Sequence, residues 1–141
     1  MLKALVPIDG SRNSMRAIRH LIDLVREREP MEVHLLNVQE AADAWEVRRF
    51  LKANEIRRRQ LEHGKQRLKD AEALLDRAGI RYQSHVLIGD VAATIARLAK
   101  RQRCDKIIMG TRGMGTVGNL ILGSVATKVI HLSQIPVTLV K

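Results

Sequence analysis

Short apolar runs alternate with amphipathic segments along the whole of this chain, and that alternation constrains the fold more tightly than any other feature. Strand-length runs stand at residues 2–7, 32–38, 82–87, 106–109 and 136–140. Between the first two, Met15, Ile18, Leu21, Ile22 and Val25 recur with the 3.6-residue period of one helix face. Pro30 closes that helical region, so the opening segments form a strand, a helix and a second strand. Such a unit is expected to be parallel with a right-handed crossover. Residues 39–45 show no clear period and read as a loop, and residues 50–78 read as one long helix with Leu61, Leu68, Ala71, Leu74 and Leu75 on one face. Gly79 stands where a C-terminal cap is expected. Asp90 is placed to cap a helix bearing Val91, Ile95, Leu98 and Ala99, and a last helix spans about 123–132. Five strands alternating with four helices predict an α/β fold, an open parallel sheet covered by helices on both faces.

The totals fit one domain over residues 1–141, since the chain has 141 residues with 45% hydrophobic and 28% charged residues. No apolar stretch approaches the roughly 20 residues of a membrane-spanning helix. The first residues enter a strand directly, without a signal peptide's apolar core, so a cytoplasmic location is expected. Cys104 is the one cysteine, which excludes an internal disulfide, and it reads as a half-buried thiol before a strand. The net charge of +10 signals attraction to anions. Nine of the 25 Lys and Arg residues lie between Arg48 and Lys69. Aromatic residues make up only 2% of the chain, so platforms for stacking bases are nearly missing and nucleic acid is not the expected partner.

A glycine constellation carries the functional signal: Gly110-Thr111-Arg112-Gly113, nine further residues, then Gly123-Ser124. It follows the fourth apolar run and precedes the last helix. Glycines let the backbone approach a phosphate closely, and the unpaired N–H groups of a helix's first turn attract negative charge. Two better-known phosphate motifs are nearly spelled out here. Residues 113–118 match G-x-G-x-x-G, but not on the first strand-to-helix turn, and no carboxylate follows Asp105 to hold a ribose. Residues 118–124 imitate a P-loop, yet Ser124 occupies the lysine position and Val125 the metal-binding hydroxyl position. What remains is G-x2-G-x9-G-S as the two sides of a phosphate cradle, set against a plain surface loop with Ser124 as a helix cap.

With Val6-Pro7-Ile8-Asp9-Gly10-Ser11, Leu36-Asn37-Val38, Met109 to Gly113, Leu122 to Val125 and the C-terminal Ser133 to Val140, that pattern resembles the universal stress proteins, specifically their ATP-binding branch. The resemblance covers most of the chain. It implies strand order 3-2-1-4-5 and ATP held across the carboxyl ends of the first and fourth strands, where the connections diverge and a crevice opens. By the same resemblance Pro7, Ile8, Asp9 and Val38 surround adenine and ribose, and Met109, Gly110, Arg112 and Gly113 line ribose and phosphates. Gly123, Ser124 and Val125 hold the terminal phosphates, and Asp9 contacts the ribose or, indirectly, Mg²⁺ or Mn²⁺. Asp9-Gly10 also has a local reading, as a turn that starts a helix. The resemblance further implies a homodimer through residues 136–140, whose apolar edge a monomer would have to protect.

No group that would activate water efficiently is evident. The five histidines show no metal-ligand spacing of the H-E-x-x-H kind, and there is no G-x-S-x-G elbow. A nucleotide-dependent stress or signalling module with an unidentified protein partner is therefore the first reading, with a slow ATPase or phosphotransferase as the alternative. A nucleic-acid or scaffold protein acting through the basic helix 48–69 is the third. Residues 41–69 are more basic than the resemblance leads one to expect. Glu46, Glu55, Glu62 and Asp70 are interspersed there and can form helical ion pairs, so a solvated face is expected ahead of a docking surface for an acidic partner.

Overall fold

The alternation expected from apolar periodicity is present in the structure, a computed structural model that describes residues 1–41, 52–111 and 122–141. In chain order the elements are β1 (Leu2–Pro7), α1 (Arg12–Glu27), β2 (Met31–Gln39), α2 (Ala53–Arg77), β3 (Tyr82–Ile88), α3 (Val91–Arg101), β4 (Lys106–Gly110), α4 (Ser124–Leu132) and β5 (Val137–Val140). The sheet has the order β3-β2-β1-β4-β5, and every pairing is parallel. The strand order is the one that the resemblance implies.

Burial explains the composition of each strand. β1, β2 and β4 lie inside the sheet with helices on both faces and are almost continuously apolar, whereas the edge strands β3 and β5 are only partly buried. On one face Val6, Ile8, Val33 and Leu35 pack against Ile18 and Leu21 of α1 and Leu68 and Leu75 of α2. On the other, Leu5, Leu36, Ile107 and Met109 pack against Ile95 and Leu98 of α3 and Val129 of α4. Each fully buried Leu or Ile stabilises the fold by about 1.5–3 kcal/mol, so both layers are needed to hold the strands in register.

Local chemistry sets the helix ends. Ser11 caps α1 by accepting the Ser14 N–H at 3.2 Å, and Asp90 caps α3 by accepting the Ala93 N–H at 3.0 Å, as its position suggests. After α2, Gly79 takes φ of +69°, its N–H reaches Asp76 O at 3.1 Å, and the Ile80 N–H reaches Leu75 O at 3.0 Å. That is a Schellman ending, which requires the left-handed backbone that glycine adopts without strain.

Three expectations need correction. Gln39 belongs to β2, not to a loop: it is in register with Ile88, its carbonyl accepts the Gly89 N–H at 2.9 Å, and its side chain bonds Asn37 at 2.6 Å. A polar residue at a strand's end satisfies its backbone in the ladder, which its side chain alone does not reveal. Cys104 is buried rather than half-buried. On α2 no ion pair forms among the described residues, where Lys3–Glu32 at 3.8 Å is the lysine–carboxylate pair. Glu55, Glu62 and Asp70 are exposed and stay hydrated instead, because ordering two long side chains in water gains at most about 1 kcal/mol. The starting residues of the predicted helix at 50–51, Glu46, and the rest of the predicted loop at 42–45 lie outside the described residues.

Candidate functional site

The strand connections diverge where β1 sends its chain to one face through α1 and the neighbouring β4 sends its chain to the other through α4, the place where a sheet of this kind opens a crevice. Its β1 side is tied by a chain of hydrogen bonds. Asp9 Oδ1 accepts the Ser11 N–H at 2.8 Å, Ser11 then caps α1, and the Ser14 hydroxyl donates back to Ser11 O at 2.9 Å. Asp9 thus performs the local turn function foreseen for it, with its second carboxylate oxygen on the same half-buried residue. Gly10 has φ of +87°, a conformation that side chains other than glycine rarely adopt.

Ile8 is held from three directions. Its side chain is buried in the α1/α2 layer, its N–H bonds Leu36 O at 2.8 Å, and its carbonyl accepts the Asn37 Nδ2 at 2.8 Å. Asn37 is itself buried, and Gln39 satisfies its Oδ1. Above it sits Gly64 of α2, where a Cβ would collide with Val86 and lie 3.0 Å from Asn37 Oδ1. A glycine in mid-helix costs about 1 kcal/mol in propensity, and here it lets α2 press onto β2 and β3 beside the crevice. Pro7 and Val38 are half-buried, Val38 against the α3/α4 layer.

On the β4 side Met109 is buried in the α3/α4 layer and Gly110 is buried against Asn13 of α1, whose side chain and carbonyl occupy the place a Cβ would take. Asn13 Nδ2 also reaches Val140 O at 3.4 Å. Thr111 is buried and donates its N–H to Val140 O at 3.0 Å, while its carbonyl accepts the Gly123 N–H at 2.6 Å. That last bond clasps the two ends of the glycine segment together. It also uses the Gly123 amide, so the donors that have no bond among the described residues start one residue later. Gly123 supplies no side-chain cap to α4, and the Ser124, Val125 and Ala126 N–H groups have no bond among the described residues. Ser124 is exposed at this helix start. Arg112 and Gly113, both named from sequence, lie outside the described residues.

Away from this rim, His85 of β3 and Cys104, just before β4, are perturbed titratable groups. His34, 1% exposed, stacks on His85 with 3.0 Å between Nδ1 and Nε2, and its Nε2 faces Glu32 Oε1 at 3.1 Å. With the carboxylate accepting from His34 Nε2, the neutral ring offers Nδ1 as acceptor and His85 donates. Burial, then the neighbouring His34 and Arg101, depresses the His85 pKa below 6.5. Burial pushes the Cys104 thiol up to about 11, so it is protonated and unreactive at neutral pH. Among the described residues no group of three or more His, Cys, Asp or Glu side chains is arranged to hold a metal ion.

The profile described as the universal stress protein family matches residues 1–141. The chain belongs to the universal stress protein family. Universal stress protein MJ0531 of Methanocaldococcus jannaschii is 30% identical over 147 residues, covering 99% of this chain and 81% of its own. A universal stress protein of Methanothermobacter thermautotrophicus is 32% identical over 143 residues, covering 99% and 94%. Among solved structures, that of MJ0577 superposes with a TM-score of 0.86 at 28% identity, covering 99% of this chain and 95% of that one. A universal stress protein family member from Arabidopsis thaliana, solved with AMP bound, has a TM-score of 0.70 at 21% identity over 100% and 92%. One from Archaeoglobus fulgidus, in complex with dAMP, has 0.68 at 21% over 100% and 98%. The last two share the fold with this universal stress protein.

Of the site residues named from sequence, Pro7, Ile8, Asp9, Val38, Met109, Gly110, Gly123, Ser124 and Val125 stand at carboxyl ends of neighbouring strands or at the α4 start that the Thr111–Gly123 bond ties to β4. Ile8 and Met109 turn their side chains into the core, leaving main chain at the rim. The sequence reading missed Asn13, Asn37, Gln39 and Gly64. Asn13 lies two residues past the Ser11 cap and Asn37 interrupts an apolar strand, and those were the signals available for them.

Proposed function

We propose that this universal stress protein binds an adenine nucleotide, ATP foremost, across the carboxyl ends of β1 and β4. The observation that carries the reading is the clasp between Thr111 O and Gly123 N–H. It brings the uncapped amides of Ser124 and Val125 to the end of β4, beside β1. These amides and the helix dipole suit a phosphate. Pro7, Ile8, Asp9 and Val38 would face adenine and ribose, Met109 and Gly110 the ribose, and Gly123, Ser124 and Val125 the phosphates, with Arg112 and Gly113 completing the cradle. Bound AMP and dAMP in two proteins of the same fold support an adenine ligand. Asp9 offers one carboxylate, which fits Mg²⁺ or Mn²⁺ held mainly by phosphate oxygens and water, with the carboxylate as a direct or indirect ligand.

The role is binding rather than efficient hydrolysis. Asp9 is the acid named at the rim, and it is committed to the Ser11 amide on one oxygen. A homodimer through β5 accompanies this reading, since Leu139 on that edge strand is 37% exposed and Ile130 and Leu132 on the adjoining helix are 41% and 52% exposed. A single domain in the cytoplasm, acting in the stress response through a protein partner, completes it. No described helix is long and apolar enough to cross a membrane. Native mass spectrometry of the purified protein tests both parts together. The expected result is a dimer that carries, or takes up on addition, one adenine nucleotide per chain; a protein that retains no adenine nucleotide at millimolar concentration, about −4 kcal/mol of binding, contradicts the reading.

A further inference from the structure

The long helix brings a cation to the rim that the glycine pattern does not announce. Arg67 of α2 lies against the turn after β1: a Cβ on Gly10 would stand 2.9 Å from Arg67 Cδ and 3.1 Å from Nη1. The two residues are 57 positions apart in sequence and meet only because α2 packs beside α1. Arg67 is half-buried, Gly10 is exposed, and Arg67 Nε donates to His63 Nε2 at 3.3 Å. α2 returns antiparallel to the strands it connects, so His63 is one turn nearer the carboxyl rim and the guanidinium is drawn toward that rim. Glu62, Asp70 and Glu72 share the helix, yet no carboxylate among the described residues pairs with Arg67. A guanidinium that no carboxylate among the described residues holds in an ion pair suits an anion arriving from outside.

We propose that Arg67 is a ligand-binding residue of this site, pairing with a phosphate of the bound nucleotide from the β1 side while the α4 amides hold it from the β4 side. The inference rests on the adenine-nucleotide reading above and adds to it a positive charge carried by α2. It also accounts for Gly10 beyond its turn: any side chain there would displace the arginine. Charge-assisted hydrogen bonds from a guanidinium to phosphate are short, directional and roughly twice as strong as neutral ones.

Calorimetric titration of the full chain with adenosine, AMP and ATP tests this. Arg67→Gln keeps a polar side chain, though a shorter one, and removes its charge. Its AMP and ATP affinities are expected to fall about tenfold or more, with adenosine affinity unchanged and partial recovery in Arg67→Lys. The triple variant Arg57→Gln, Arg58→Gln, Arg59→Gln, which removes three exposed charges from the same helix, is expected to bind AMP as the unaltered protein does. Equal losses for adenosine and AMP in Arg67→Gln, or no loss for either, would overturn the proposal, as would an equal effect of the triple variant. If the unaltered protein binds none of the three ligands, the adenine-nucleotide reading fails and this inference with it. Thermal melting of each variant identifies any loss that comes from unfolding.

Discussion

The two helices that share one face of the sheet, α1 and α2, are built on different principles. α1 buries Ser14, Ala17, Ile18, Leu21 and Ile22 along most of its length and is capped by Ser11. α2 is 25 residues long, buries only Gly64, Leu68, Ala71 and Leu75, and has no side-chain cap at Lys52. Its last turns belong to the core, and its first turns, with Arg57, Arg58 and Arg59, are exposed. The contrast separates fold from function along a single element. Helix over the sheet holds the strands, whereas helix that extends past them is free to present charge, and Arg67 sits at the border between these halves.

The largest expected effect tests the buried half. Leu68→Ala and Leu21→Ala should each cost about 2–5 kcal/mol in urea unfolding, because both side chains are fully enclosed. A loss below about 1 kcal/mol at Leu68 would mean that α2 does not seal the core. Gly64→Ala comes next. Added helix propensity should favour it by about 1 kcal/mol, but the methyl would meet Val86 and crowd Asn37, so a net loss of about 1–3 kcal/mol is expected. A gain in stability would show that α2 can rise off the sheet without cost. The caps should differ in the same sense: Ser11→Ala is expected to cost about 1 kcal/mol, and Lys52→Ala almost nothing. Equal effects on unfolding would erase the distinction between the two helix starts.

Acid sharpens the comparison by acting on the opposite face. The folded-state pKa of His85 is depressed below 6.5, so the unfolded chain takes up a proton more readily. The contribution of that group is therefore intact above 6.5 and is lost as pH falls through 6.5 toward the depressed value. Unfolding free energies measured at neutral pH and at about pH 5 should show this loss, and His85→Gln should flatten the dependence. An unchanged slope in the variant would place the acid sensitivity elsewhere. The smallest effect belongs to the exposed half of α2: neutralising Arg57, Arg58 and Arg59 should leave stability within about 0.5 kcal/mol, whereas a larger change in the same urea assay would mean those charges are engaged.

Much of this was legible in the order of residues, for identifiable reasons. Apolar spacing marks α1 and the lower part of α2 because burial on a regular helix repeats every 3.6 residues. Asp90 and Gly79 could be read as helix ends because capping is local chemistry. Gly64 was not legible, since its reason is Val86, which lies 22 positions further on and on another element. The same holds for Asn37 under Ile8 O, for His34 against His85, and for Arg67 over Gly10. Each is a contact between elements whose juxtaposition depends on sheet order. The sheet order was itself expected from the family resemblance, not from periodicity.

The most direct measurement of the central claim is a ¹H–¹⁵N NMR titration of the protein with AMP. The account predicts that amide signals of Ile8, Asp9, Gly10, Gly110, Ser124 and Val125 shift together and saturate, while those of Met31 and Tyr82, at the opposite ends of the strands, stay in place. Shifts confined to that opposite end, or a spectrum that AMP leaves unchanged, would contradict it.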